Sequence, residues 1–361
     1  MNSVPPIKGR GAVSRMAHRF ASEERTPFSD GWEQGAGSGD GTDEQPAPLK
    51  TQVIFEDAKS ALSVNDSPDI YFAYSVNPYR GCEHGCIYCY ARPTHSYLNM
   101  SPGLDFETKI IAKRNIVQAL RRDLSRRSYK PQLLNIGSAT DCYQPVEREL
   151  RLTRDVLELM RECRHAFSLV TKSSGVERDI DLIGEMAASK LAAVYVTITT
   201  LDAEVARKLE PRAAAPHRRL RTIRTLAQAG IPVGVSLAPH IPFVTDDMEQ
   251  VLEAAWEAGA RSAFYHVVRL PWEIAPLFRE WLQAHYPQRA GRIMARIQEM
   301  RGGKDYDADF ATRMKGSGIW SELVRQRFEK AVARLGFNRE RIELDLGQFV
   351  PPGNPLQPAL F

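Results

Sequence analysis

The chain has 361 residues, 43% of them apolar and 25% charged, with a net charge of +4. This is ordinary globular composition with ample length for a buried core, and the charge is too small to argue nucleic-acid binding by itself. No apolar run approaches the roughly 20 residues of a membrane span, and Met1-Asn2-Ser3-Val4-Pro5-Pro6-Ile7-Lys8 lacks the apolar core of a secretory signal; a cytoplasmic protein with no membrane partner is expected.

Residues 1–50 read as a disordered N-terminal arm: scattered basic residues, then Gly35-Ala36-Gly37-Ser38-Gly39-Asp40-Gly41, Pro46 and Pro48. Such a segment buries too little apolar surface to offset its ordering entropy. A first strand is expected over 52–55, and an alternating, aromatic-rich strand over 71–76. A helix is expected over 109–127, and strands over 133–136, 167–171, 194–199, 232–237 and 263–268. Helical spacing separates them: Val156, Leu157, Met160 and Cys163 behind a Thr153 cap, Ile183 and Met186 behind Asp179, Leu220, Ile223, Leu226 and Ala227 before Gly230, and Val251 and Leu252 after Asp246 and Glu249 at capping-box spacing. Strand–helix alternation of this kind predicts βαβ units and a parallel sheet, here a partial (β/α)6 TIM-like barrel over residues 51–272, with catalytic groups at the C-terminal strand ends. Residues 273–345 read as a helical C-terminal extension, with helices over 274–285, 289–300 and 319–335, and residues 346–361 as an extended Pro-rich tail.

Three of the five cysteines lie in Asn77-Pro78-Tyr79-Arg80-Gly81-Cys82-Glu83-His84-Gly85-Cys86-Ile87-Tyr88-Cys89-Tyr90-Ala91-Arg92, just after the strand at 71–76. Three thiolates at C-x3-C-x2-C spacing can hold three corners of an iron–sulfur cube and leave the fourth iron open, whereas ferredoxin patterns use four cysteines. An open iron can take the amine and carboxylate of S-adenosylmethionine. The alternative is a structural zinc site with His84 as fourth ligand, although zinc ligands usually come as two separated pairs.

Polar clusters follow the strands. Ser138, Thr140 and Asp141 sit among small residues that allow close backbone approach and can bind an ammonium group and hydroxyls. Lys172 can pair with a carboxylate. Thr199 and Thr200 suit ribose hydroxyls, and Arg218 is a candidate bidentate clamp. His240 is either an acid/base or a turn residue. Cys142, at a strand end, is a candidate hydrogen-atom donor or a buried inert thiol; Cys163 reads as a core residue.

These motifs, with Arg92-Pro93, Ser101-Pro102-Gly103-Leu104-Asp105-Phe106-Glu107, Thr140-Asp141, Tyr143-Gln144-Pro145, Thr171-Lys172, Thr199-Thr200-Leu201-Asp202 and Glu210-Pro211-Arg212-Ala213, resemble a bacterial radical S-adenosylmethionine (radical SAM) family related to spore photoproduct lyase. The resemblance runs from Pro5-Pro6-Ile7-Lys8-Gly9-Arg10-Gly11 to Arg327-Phe328. It implies that Cys82, Cys86 and Cys89 ligate a [4Fe-4S] cluster, that the backbone at Tyr88 contacts adenine, that the turn at 138–141 holds the methionyl amine, and that Thr199 and Thr200 lie by the ribose. It also implies a flavodoxin or ferredoxin reductant and a 5′-deoxyadenosyl radical that abstracts hydrogen from substrate. Where the lyase carries its donor cysteine, this chain reads Ser138-Ala139-Thr140, with Cys142 close by.

Two features point to nucleic acid and repair. Arg121, Arg122, Arg126, Arg127 and Lys130 cluster at one helix end, and Arg218, Arg219, Arg221 and Arg224 on another. The terminal Gln357-Pro358-Ala359-Leu360-Phe361 is similar to peptides that dock on the DNA sliding clamp, through Gln357, Leu360 and Phe361. The expected function is a radical SAM enzyme acting on nucleic acid; the alternatives are radical modification of a protein or small metabolite, and a non-catalytic iron–sulfur or zinc interaction module.

Overall fold

The computed structural model describes residues 6–21 and 49–353. Gln357, Leu360 and Phe361 lie outside the described residues. The strands in chain order are β1 (Gln52–Glu56), β2 (Leu62–Val64), β3 (Tyr74–Val76), β4 (Tyr79–Arg80), β5 (Lys109–Lys113), β6 (Leu134–Ile136), β7 (Phe167–Thr171), β8 (Ala192–Thr197), β9 (Val233–His240) and β10 (Ser262–Val267). They form a seven-stranded sheet, β10-β9-β8-β7-β6-β3-β2, and a three-stranded sheet, β1-β5-β4. In the larger sheet β2 alone is antiparallel; β3 and β6 to β10 run parallel, each beside its neighbour in chain order. Helices Leu152–Glu162, Ile180–Ala188, Pro216–Gln228 and Met248–Glu257 connect β6 through β10. β10 and β2 remain edges, so the barrel is partial.

Alternation along the strands explains the layers. Leu134, Ile136, Phe167, Leu169, Val194, Val196 and Val235 are fully buried in the main apolar cluster with the connecting helices. The residues between them, Asn135, Ser168, Tyr195 and Ser236, face the other side and line the concave surface. Gly234 lies opposite Tyr195 in the ladder, and a Cβ there would sit 2.4 Å from the Tyr195 ring. Glycine is what lets that ring lie across the sheet.

Several expectations change. Residues 109–113 form strand β5, not the start of a helix: β1 pairs with them in parallel register, Gln52 opposite Lys109, and Ile110 and Ile111 are buried. The helix begins at Ile116 and ends at Leu124. Thr153 is not a cap; its hydroxyl donates to the Cys142 carbonyl at 2.6 Å, and Arg151 holds the cap position. The Asp246–Glu249 capping box does not form, because Glu249 is held by Arg327 at 2.6 Å. Asp247 takes the cap position and accepts from Leu201 N at 2.7 Å. The arm reading fails for part of its length: Arg10, Gly11, Ala12 and Val13 are buried, held by hydrogen bonds that composition does not report. The C-terminal helices are Ile274–His285, Ala290–Glu299 and Gly318–Leu335. Beyond them the chain crosses just ahead of β7 and β8, where Asp345 N donates to Lys190 O and Val350 N to Cys163 O, both at 2.8 Å.

Candidate active site

β3 leads through Asn77 and β4 into the cysteine loop. The loop turns at Gly81 (φ +80°) and Gly85 (φ +69°), and a Cβ on Gly81 would meet Phe106 O at 2.9 Å. Cys82 N donates to Phe106 O at 2.9 Å, Cys89 N to Cys86 O at 3.2 Å and Ile87 N to Leu209 O at 3.1 Å. All three cysteines are free thiols, Cys82 and Cys86 buried and Cys89 partly so. Cys82, Ala91 and Phe106 pack with Cys89 and Ala139, so the loop faces the turn after β6.

Burial pushes the Cys86 thiol up to about 12, with Lys172 opposing. Burial, Asp141 and the two other thiols push Cys82 well above its ordinary value. A buried, crowded thiol set of this kind is what a positively charged iron core neutralises, and three donors without a fourth cysteine fit a cube with one open iron. His84 Nδ1 lies 3.2 Å from Asp141 Oδ2, a contact that links the cysteine loop to the turn after β6. Among the described residues no three His, Cys, Asp or Glu side chains converge on a single ion.

Asp141 is fully engaged. Its carboxylate accepts from Thr171 Oγ1 at 2.7 Å, Lys172 N at 2.7 Å and Tyr143 N at 2.9 Å. Burial alone would raise its pKa, but His84 and these donors hold it well below the usual carboxylate range. Asp141 therefore ties the β6 and β7 ends to the cysteine loop. Ser138 and Thr140 are placed by Asn77, whose Oδ1 accepts from Ala139 N at 2.8 Å and Thr140 N at 3.4 Å, and whose Nδ2 donates to Ser138 Oγ at 3.3 Å.

A second carboxylate organises the other side. Glu210 accepts from the Tyr88 hydroxyl, from Arg219 and, at 3.2 Å, from Thr199 Oγ1. Burial raises Glu210, but Arg219 and Lys172 outweigh it and its pKa falls. Lys172 Nζ lies 5.8 Å from the centre of the Tyr88 ring. Burial works against its charge, yet Cys86 and Glu210 raise its pKa. Its ammonium has no hydrogen-bond partner among the described residues, so it is open to an anionic ligand.

Other candidates stand apart. Thr200 caps the next turn by donating to Asp247 at 2.9 Å. Arg218 makes a bidentate pair with Glu177 at 2.6 and 2.7 Å, while the neighbouring Arg219 enters the site. Cys142 is fully buried in the main apolar cluster, and burial raises its thiol pKa well above the ordinary value. His240 Nδ1 is 3.0 Å from the Thr245 carbonyl, and burial lowers its pKa. Sequence reasoning underweighted Glu210, Arg219 and Arg92. Arg219 shares a helix face with Ile223 and Leu226, a spacing that marks it as inward-pointing.

The model of the radical SAM superfamily matches residues 76–255. An uncharacterised protein of Mycobacterium tuberculosis is 33% identical over 252 residues, 68% of this chain and 74% of that one. The chain belongs to the radical SAM superfamily. An uncharacterised protein of Methanocaldococcus jannaschii is 26% identical over 239 residues, 66% of this chain and 85% of that one. Among solved structures, spore photoproduct lyase complexed with dinucleoside spore photoproduct shares the fold, with a TM-score of 0.52 at 15% identity over 79% of this chain and 80% of that one. Radical SAM enzymes use a [4Fe-4S] cluster and S-adenosylmethionine and require a reductant, and the three free thiols and open ammonium of this radical SAM protein are donors of the kind those groups need.

Proposed function

We propose that this radical SAM enzyme acts on a nucleobase-containing substrate, as in repair or modification of nucleic acid. The observation that carries the reading is the row of aromatic rings on the concave face. Tyr71 and Tyr195 lie 6.5 Å apart, Tyr195 and Phe264 5.5 Å, and Phe264 and His266 5.3 Å. Beside them Asn135 Nδ2 donates to Ser168 Oγ at 2.9 Å, while the buried Asn135 Oδ1 has no partner. Burial, reinforced by Lys315 and Arg269, lowers the His266 pKa to about 3, so its ring is neutral. Aromatic faces with an unmatched acceptor suit a planar ring that carries an N–H. Exposed phosphate contacts are not part of the case: Arg121 pairs with Glu162, Arg126 with Asp123 and Arg218 with Glu177.

In this reading Cys82, Cys86 and Cys89 hold the [4Fe-4S] cluster, and Lys172 takes the methionyl carboxylate of S-adenosylmethionine. The turn at 138–141 receives the amine. Tyr88 and Thr199, fixed by Glu210, border the nucleoside, with Thr200 next in the chain. When bound, the cluster and S-adenosylmethionine supply a 5′-deoxyadenosyl radical for hydrogen abstraction, with the electron delivered by a flavodoxin or ferredoxin. The seat of Cys142 inside the core supports a packing role for that thiol, and Cys142→Ala should keep S-adenosylmethionine cleavage. The test of substrate class is anaerobic turnover with photodamaged oligonucleotide, undamaged oligonucleotide, peptides and small metabolites. Nucleic acid is expected to stimulate 5′-deoxyadenosine formation. Stimulation by peptide or metabolite alone would replace this reading with protein or metabolite modification.

A further inference from the structure

The cysteine loop has a second wall, built by the N-terminal segment. Gly11 packs directly on the loop: a Cβ there would sit 1.8 Å from Gly85 O. No side chain larger than hydrogen keeps that approach. Gly11 N donates to Glu107 Oε2 at 2.9 Å and Ala12 N to Oε1 at 2.8 Å. Arg10 Nη1 donates to the Glu107 carbonyl at 2.8 Å. The same carboxylate meets Arg92 Nη2 at 2.5 Å, with both side chains at 0% exposure. Arg92 in turn donates to the carbonyls of Gly85 at 3.1 Å and Cys86 at 2.9 Å. Ala12 is fully buried in the same apolar cluster as Cys86, Ile87 and Tyr88.

The segment is anchored further along. Leu104 N donates to Ser14 O at 3.1 Å, and a Cβ on Gly103 would lie 2.3 Å from that carbonyl. Ser14 Oγ donates to Glu280 at 2.6 Å, and Arg19 pairs with Glu273 at 2.9 Å.

We propose that residues 10–14 are a working part of the cluster site: they clamp the cysteine loop from behind and set the affinity, air-stability and reduction potential of the group held by Cys82, Cys86 and Cys89. The inference rests on the reading of those thiols as cluster ligands. Two physical effects carry it. The clamp fixes the backbone between the first two thiols through Gly85 and Arg92, as outer-shell partners fix metal ligands. It also covers the apolar side of Cys86 and keeps water away, which lowers the potential because water stabilises the more negative reduced state.

The experiment uses the full chain, reconstituted anaerobically with iron and sulfide, as wild type and as Gly11→Val and Glu107→Gln. The readouts are iron and sulfide per chain, resistance to a chelator, bleaching in air and midpoint potential followed by electron paramagnetic resonance. Circular dichroism establishes folding. Gly11→Val should weaken cluster retention by about 10- to 100-fold, the usual cost of losing outer-shell support, with faster bleaching and a higher potential. Glu107→Gln keeps one acceptor oxygen and should fall between the two; it decides the matter if Gly11→Val does not fold. A folded variant with wild-type iron content, bleaching rate and potential overturns the clamp. A wild-type chain that takes up no iron overturns the ligand assignment itself.

Discussion

At Glu210 three donors meet one buried carboxylate: the phenol of Tyr88 on the cysteine loop, the hydroxyl of Thr199 beyond β8 and the guanidinium of Arg219. The carboxylate thus couples the cysteine loop, proposed to hold the cluster, to the strand end proposed for the nucleoside. Glu210→Gln leaves Arg219 buried beside a neutral amide. Breaking a buried pair in this way costs about 3–5 kcal/mol, so urea unfolding should shift by that order, and S-adenosylmethionine binding in equilibrium dialysis should weaken with it. The thiols were legible because their spacing is itself the chemistry. Arg219 was passed over for Arg218 although its helical phase, shared with Ile223 and Leu226, carried the signal. Away from the site, His165 gives a pH test. Its Nδ1 is 2.9 Å from the Ala166 carbonyl, which can only accept, so Nδ1 carries the proton and Nε2 accepts from Tyr129 at 2.6 Å. Burial lowers its pKa to about 4, below the unfolded value near 6.5. The unfolded chain therefore binds the proton first as pH falls. The contribution is complete above pH ~6.5 and is lost progressively toward pH ~4. His165→Leu should flatten this part of the stability–pH curve measured by urea unfolding; an unchanged slope would contradict the assignment.

Elements were read well where pattern and partner agreed. Parallel strands buried by helices, such as β7 and β8, announced themselves through β-branched and apolar runs. β5 was misread because Lys109-Ile110-Ile111-Ala112-Lys113 fits a helix start as well as a strand, and only pairing with β1 and β4 decides. The N-terminal segment was misread for a related reason. Its apolar content is low, and its order comes from backbone groups bonded to Glu107 and from a glycine contact, neither of which composition carries. The segment after the last helix is held by its backbone hydrogen bonds and by Leu344, Leu346 and Phe349 on the core, the Phe349 ring lying 5.4 Å from Tyr129 and 5.1 Å from His165. Phe349→Ala should cost about 1–3 kcal/mol, the range for a partly buried aromatic side chain, read as a lower urea midpoint with no change in cluster content.

At the scale of the whole molecule, strand–helix alternation led directly to a parallel sheet whose spatial order follows the chain, and the partial barrel emerged as expected. The sheet ends at β2 and β10 and does not close. The cysteine loop, Asp141, Lys172 and Thr199 follow the C-terminal ends of β3, β6, β7 and β8, and the aromatic row lies on the concave face of the same sheet. The proposed function requires radical generation at the cysteine loop to reach a planar substrate on the aromatic row. The most direct measurement of the central claim combines metal analysis with product detection. Anaerobically reconstituted wild-type chain should carry about four iron atoms and form 5′-deoxyadenosine from S-adenosylmethionine on reduction with dithionite. The Cys82→Ala, Cys86→Ala, Cys89→Ala triple variant should do neither. Zinc in place of iron in the wild type, or 5′-deoxyadenosine formation that survives the triple substitution, would contradict the account.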